Sequence, residues 1–282
     1  MVNKNICFSN RIEKSYARAL YKSIILFIFV VAHQYDVFAT QRVYQFGVDQ
    51  QVSFFSKAYD AQYQSALHIG TKRSTGSYTF RLHRGFRFNQ YAYMWELESY
   101  PVFTNSMYAY VAYAYSNSDI FPSHRVGLEL FSALPGQLEG SVGIRYIDVD
   151  SGSQTLMLTT SLSHYISAFI ITVRPFFIFS DSGTGQTWLG SLRWSLNDSG
   201  NYLLIRGAVG SSSDEIIFQV AQEQVKDLLL LKSSQIGTEG RYYITKSISG
   251  LAAMTLYRQE LAFDPGNFVS NWTVRAALNF HW

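Results

Sequence analysis

Segments of about ten residues in which apolar and polar side chains alternate recur from residue 43 to the C-terminus, and a strand of that length can cross a bilayer at a tilt. In residues 138–146, Leu138, Gly140, Val142, Ile144 and Tyr146 alternate with Glu139, Ser141, Gly143 and Arg145. In residues 91–98, Tyr91, Tyr93, Trp95 and Leu97 alternate with Ala92, Met94, Glu96 and Glu98. The same period runs through 126–130 and 188–196, where Trp188, Leu192, Trp194 and Leu196 share one side and Arg193 takes the other. A period of two places successive side chains on opposite faces of a strand, so each segment has one apolar face and one face that carries charge. From Gln41 onward no stretch of 18 apolar residues could form a membrane-crossing helix.

The pattern predicts strands at 43–55, 61–71, 76–88, 90–102, 107–117, 124–133, 137–148, 154–164, 168–179, 186–197, 201–212, 233–245, 248–260 and 269–282. Connections after the even-numbered strands are short. Those after the odd-numbered strands include 118–123, 149–153, 180–185, 261–267 and a long stretch, 213–232. Short turns at one end and longer loops at the other are the habit of outer-membrane barrels, whose short turns face the periplasm. The expected fold is therefore all-β, a transmembrane antiparallel up-and-down barrel of 14 strands, or 12 if one pair of segments merges. A soluble sandwich accounts for the alternation equally well, but not for the length and even spacing of the segments.

The N-terminus fits an exported protein. Five Lys/Arg and one acid in residues 1–22 precede the ten-residue apolar run Ser23–Ala32, and Val37-Phe38-Ala39 supplies a small or β-branched residue at each position a signal peptidase reads. Residues 1–39 are read as a secretory signal peptide and 40–282 as the barrel; a single N-terminal anchor helix is the alternative. Cys7, the only cysteine, precedes the apolar run, so residues 40–282 have neither a disulfide nor a thiolate metal cluster. Of the 23 Lys/Arg and 20 Asp/Glu, five and two lie before residue 40, which leaves the remainder neutral. That balance excludes nucleic acid as a partner, because phosphate neutralisation needs excess Lys/Arg. The 20 Tyr, 21 Phe and 5 Trp instead suit a membrane interface, half apolar and half wet.

The last segment is apolar at every second position, through Trp272, Val274, Ala276, Leu278, Phe280 and Trp282, with Thr273, Arg275, Asn279 and His281 between. As an edge strand of a soluble sheet it would expose Phe280 and Trp282 to aggregation. It resembles the C-terminal signal by which barrels are handed to the outer-membrane insertion machinery, with Trp282 as the terminal aromatic. Expected partners are thus that machinery, the lipid bilayer and the lipopolysaccharide of a Gram-negative envelope.

Residues 108–146 carry a more specific likeness. A Tyr-rich strand (Tyr110, Tyr113, Tyr115) leads to the Phe121-Pro122 turn, then Arg125, Gly127, Glu129 and Leu130, the Leu134-Pro135 turn, and Glu139, Ser141, Gly143, Arg145 and Tyr146. With Tyr100-Pro101 before it and Ser161-Leu162, Tyr165 and Arg174-Pro175 after it, this block resembles the YaiO-type outer-membrane β-barrel family. The likeness implies an outer-membrane location and an association with surface polysaccharide. Two features depart from the family pattern: no helical-repeat region precedes the barrel, and the turn at Ile166-Ser167 lacks the usual glycine.

Alternation places Arg81, Arg125, Arg145, Arg174, Arg193, Arg206, Arg241 and Arg275 on the inner face with Glu96, Glu98, Glu129, Glu139 and Glu239. Opposite charges there are expected to pair and fill a narrow lumen, Arg125 with Glu129 among them, or to form a mixed-charge constriction that sorts solutes. No catalytic, cofactor or metal site is expected. His83, His124 and His164 are candidate bases, but Ser123 and His124 are adjacent on an extended chain and point to opposite faces. No Gly-x-Ser-x-Gly motif occurs. Asp148, Asp150, Asp181, Asp214 and Glu215, expected in outer loops, lack calcium-loop spacing. The leading expectation is a non-enzymatic narrow pore or envelope component; the alternative is a barrel enzyme acting on lipid or surface glycan.

Overall fold

The computed structural model describes residues 43–282 apart from 57–59, 88, 119, 150–152, 198–199, 221–222 and 262–263, and for 212–230 it describes the backbone only. The signal-peptide expectation for 1–39, Cys7, Asp119 and Asp150 lie outside the described residues. Fourteen antiparallel strands form one closed sheet in which each pairs with its sequence neighbours and β1 pairs with β14. They are β1 (Val43–Phe55), β2 (Gln62–Arg73), β3 (Gly76–Arg87), β4 (Gln90–Thr104), β5 (Met107–Tyr115), β6 (His124–Leu134) and β7 (Leu138–Asp148). After these come β8 (Gln154–Ile166), β9 (Phe169–Ser180), β10 (Gly183–Ser195), β11 (Tyr202–Val220), β12 (Glu223–Thr245), β13 (Ile248–Leu261) and β14 (Asp264–His281).

Closure is made between the two ends of the chain. Gln45 faces His281 and the ladder runs to Phe55 opposite Asn271. At its rim Tyr44 N–H donates to Trp282 O (2.8 Å) and Trp282 N–H to Tyr44 O (3.0 Å). The apolar side of each alternation turns outward: Leu67, Leu97, Leu128, Val142, Leu158, Leu192, Ile205 and Val274 are all exposed. Tyr91, Tyr93, Trp188, Trp194, Trp272, Phe280 and Trp282 are exposed with them, and Trp95, on the same face, packs on Tyr113 and Tyr115. At the end of the short turns, outward rings stack in pairs across neighbouring strands, Tyr44 on Trp282, Phe46 on Phe280 and Phe169 on Trp194. The amphipathic rings belong at a polar-apolar boundary.

Three connections differ from expectation. Residues 213–232 are not a loop: β11 and β12 continue in register from Ser213 opposite Leu230 to Val220 opposite Glu223. These strands have 19 and 23 residues, about twice what a bilayer crossing needs. Asp214, Glu215, Lys226 and Asp227 are strand residues, so charge alone does not mark where pairing ends. Likewise Ser180 and Gly183 are joined through two residues, and β14 starts at Asp264. The asymmetry of loop length is therefore smaller than the sequence suggests. It rests on the links β5–β6 and β7–β8, because the six residues between β10 and β11 match the six between β1 and β2. The glycine missing from the turn after β8 leaves Ser167 at φ +52°, a left-handed conformation that glycine adopts at less cost.

The two faces differ in what surrounds them, and substitution should reveal it. Leu192 lies between Trp188 and Trp194 on the outward face, whereas Thr255 points inward. Leu192→Arg should cost about 2–4 kcal/mol of folding free energy in lipid vesicles, because hydrocarbon strips the guanidinium of water; Thr255→Arg should cost far less. Urea titration of the refolded variants measures both, and equal costs would contradict the assignment of faces.

Candidate functional site

The inner face is organised around Glu129 on β6. Its residue partners across the ladder set the geometry: Glu129 faces Gly143 of β7, and Arg145 of β7 faces Gly127 of β6. Each charged side chain thus sits opposite a glycine, and the pair meets on the diagonal, Arg145 Nη2 donating to Glu129 Oε2 at 2.7 Å. A Cβ on Gly143 would fall 2.7 Å from both Glu129 Cβ and the Leu128 carbonyl, and one on Gly127 2.5 Å from Arg145 Nη1. Arg174 reaches the same carboxylate oxygen from β9 at 3.0 Å, across two strands whose inward side chains there are short, Ser141, Thr159 and Ser161. Ser141 Oγ donates to the other oxygen at 2.6 Å and lies 2.5 Å from Ser161 Oγ. The Glu129 side chain is wholly buried, and Arg145 also lies 4.2 Å over the Tyr110 ring. Two guanidiniums and a hydroxyl satisfy a carboxylate whose burial alone would be prohibitive.

Arg125 is not part of this cluster. It is exposed and forms no ion pair in the contacts described. Four residues along one strand separate it from Glu129 by about 13 Å, too far to pair. Glu139, expected among the charges, lies beside the Tyr108 and Tyr165 hydroxyls, below an inward aromatic pair in which Tyr108 stacks on Phe131.

A second cluster spans β1–β4 and β14. Arg81 bonds Glu98 (3.0 Å) and lies 3.6 Å from Glu96, while His83 bridges Glu96 (3.0 Å) and Gln64 (3.1 Å). Arg275 Nε donates to Asp49 at 2.7 Å, and its Nη1 lies 4.0 Å from Glu239. Between them is a cavity of about 180 Å³ lined by Asp49, Gln51, Gln64, Ala66, His68, Arg81, His83 and Arg275. Asp49, Gln64 and His68 were missed as site residues; each occupies an inward parity position, a signal that was present in the sequence. Arg193, Arg206 and Arg241 point inward from β10, β11 and β12, with Arg193 and Arg241 at 4.2 Å and 5.3 Å from the Tyr202 ring.

The loop between β5 and β6 adds an apolar plug. Phe121 folds inward and is 9% exposed, packing with Ile120 against Ala92, Met94 and Ala114. A Cβ on Gly85 would lie 2.8 Å from the Phe121 ring, so the small inward residues of β3–β5 form its socket.

No nucleophile completes the His83–Glu96 pair in the contacts described. His124 faces outward against Tyr113 and Tyr115, its Nδ1 2.9 Å from Tyr113 Oη, while Ser123 is buried beside Ser116. His164 is exposed on the outer face. Among the described residues no three His, Cys, Asp or Glu gather as metal ligands. Asp148 ends β7 and Asp181 accepts a bond from Gln154 N–H.

Removing Glu129 would leave Arg145 and Arg174 facing each other without a counter-charge. Glu129→Gln should cost about 3–5 kcal/mol, read as loss of heat-modifiable gel mobility or a lower urea midpoint in lipid. Gly143→Ala should cost about 1–3 kcal/mol through overpacking, whereas Arg125→Gln should leave folding unchanged. A harmless Glu129→Gln would contradict the pairing described here.

Comparison with known proteins agrees with this architecture. A search of curated protein sequences found no match. Solved structures that align over most of the chain are outer-membrane proteins of low identity. Omp33 of Acinetobacter baumannii aligns at 15% identity and TM-score 0.48, covering 85% of this chain and 99% of that one. A bacterial polysaccharide outer membrane secretin aligns at 7% identity and TM-score 0.57, over 85% and 98%. The anion-selective porin of Comamonas acidovorans aligns at 12% identity and TM-score 0.45, over 86% and 100%. Of these three, the secretin has a TM-score above 0.5, and at 7% identity its likeness is one of fold. The sequence itself matches the YaiO membrane beta barrel domain over residues 43–215. The chain is an outer-membrane β-barrel and belongs to the YaiO family.

Proposed function

We propose that the barrel is a narrow pore whose passage runs along one side of the lumen. The supporting observation is a difference between its two inner walls. Over β4–β9 many inward residues are packed away: Met94, Ala114, Glu129, Ser141, Thr159 and Ile178 are all buried, and Phe121 caps that side, while Arg125, Ala133 and Tyr165 stay exposed. Over β10–β14, Ser191, Ala208, Ala253, Thr255, Thr273 and Ala277 are small and stay half-exposed. The cavity beside Arg81 and Arg275 adjoins this emptier wall. Paired charges thus stiffen half of the lumen, and the other half is free to carry water and small solutes.

In this reading residues 1–39 are a leader removed on export, residues 40–282 insert through recognition of the strand ending at Trp282, and lipopolysaccharide meets the outer aromatic belt. The interior is a conduit rather than a catalytic centre, with Arg81, Glu96, Glu98, Glu129, Arg145 and Arg174 as scaffold.

Planar-bilayer recording tests the proposal. The refolded barrel should conduct small ions in steps, and Ala253→Trp, which fills the small-residue wall, should sharply reduce the step size. An electrically silent wild-type barrel, or a folded Ala253→Trp variant with unchanged conductance, would contradict it.

A further inference from the structure

We propose that Arg193 and Arg241, set on the inner faces of β10 and β12 around the Tyr202 ring, with Arg206 of β11 as the diagonal neighbour of Arg193, form a binding site for an oxyanion group. The proposal deepens the pore reading by naming the chemistry of the solute, and relies on it only for access to the lumen.

The arrangement follows from register. Tyr202 of β11 faces Ser195 of β10 and Arg241 of β12, and Arg193 lies one diagonal step away, opposite Leu204. Arg206, two residues along β11 from Leu204, faces Ser191 and Gly237, so it too is a diagonal neighbour of Arg193. Arg193 and Arg206, in such positions, are about 7–8 Å apart, close enough for two cations to repel in a confined lumen.

Elsewhere in the lumen the barrel neutralises four arginines and leaves Arg125 exposed. Arg81 has Glu98, Arg145 and Arg174 share Glu129, and Arg275 has Asp49. Here it does not. The one acid within reach, Glu239, accepts the Tyr202 hydroxyl proton bond at 2.6 Å and faces Arg275 at 4.0 Å. Among the described residues none of Arg193, Arg206 or Arg241 forms an ion pair, and the Nε atoms of Arg193 and Arg241 are buried without a hydrogen-bond partner. The Tyr202 ring, 4.2 Å and 5.3 Å from the two guanidinium carbons, fixes where those groups stand.

Pre-positioned guanidiniums that meet no carboxylate are half of a charge-assisted, multidentate contact; the missing half is a planar carboxylate or a tetrahedral phosphate. An unneutralised cluster of this kind costs free energy that an incoming anion recovers. A carboxylate on an acidic sugar and a phosphoryl group present the same oxygen chemistry, and binding experiments separate them.

The refolded wild-type barrel in detergent is titrated with glucuronate, inorganic phosphate and glucose, with bound ligand read by saturation-transfer NMR. Glucuronate, phosphate or both should bind and glucose should not; glucuronate alone assigns an acidic saccharide, phosphate alone a phosphoryl group. Arg193→Gln with Arg241→Gln should weaken that binding about tenfold or more. Arg193→Lys should retain part of it as a point charge, and the outward Arg84→Gln should change nothing. If the glutamine pair fails to fold, phenylglyoxal modification of wild-type Arg193 and Arg241 replaces it, with protection expected from the bound anion and not from glucose. Glucose binding as well as glucuronate, unchanged affinity in the folded glutamine variant, or no protection would overturn the proposal. A barrel that binds the anion without conducting refutes the pore and leaves this site standing; one that conducts but binds no oxyanion does the reverse.

Discussion

In hydrocarbon a peptide N–H or C=O has no water to turn to, so each must find its partner within the chain, and a sheet meets that demand only by closing on itself. The ladder between β1 and β14 therefore carries the rest of the structure. Tyr44 and Trp282 exchange backbone bonds at the rim, and eleven residue pairs from Gln45–His281 to Phe55–Asn271 complete the cylinder. The terminal residue of the chain is thus a structural closure point as well as an interfacial aromatic. Its ring stacking on Tyr44 holds the seam where neither strand has a turn to fix its register.

Closure also decides what the other face must do. With alternate side chains forced into a confined interior, polar groups there face neither bulk water nor a conventional core. The chain meets this in two ways. On one side, glycines at 127 and 143 clear the diagonal along which Glu129 and Arg145 meet, and Arg174 completes the charge balance. On the other, side chains such as Ala208, Ala253 and Thr255 are short and half-buried. The filled wall gives stiffness, and the wall with shorter side chains is the one along which the proposed passage runs.

Period two made much of this legible before any coordinates. Parity alone placed Arg81, Glu96, Glu129, Arg145 and Arg275 inside and Trp188, Trp194 and Trp272 outside, because a strand residue has only two faces to choose from. Parity says nothing of register, and register decides which inner charges meet. Arg125 and Glu129 share a face and a strand yet stand too far apart, while Arg174 reaches Glu129 from three strands away. The hairpin extension of β11 and β12 was hidden for a different reason: its charged residues resemble a loop wherever pairing outside the membrane is not considered. Phe121 was visible as part of a turn motif, but its inward fold depends on the socket formed by Gly85, Ala92 and Ala114 on three other strands.

The central claim is that the lumen is packed along β4–β9 and water-filled along β10–β14. The only cysteine, Cys7, precedes the barrel, so single-cysteine labelling reports on one site at a time once Cys7 is replaced or removed. Ala114→Cys and Ala253→Cys, each refolded in lipid vesicles, can be exposed to a small charged thiol reagent that does not cross the bilayer. Rapid modification at 253 with protection at 114 is the result expected from the two walls; equal rates, or protection at 253, would contradict the account.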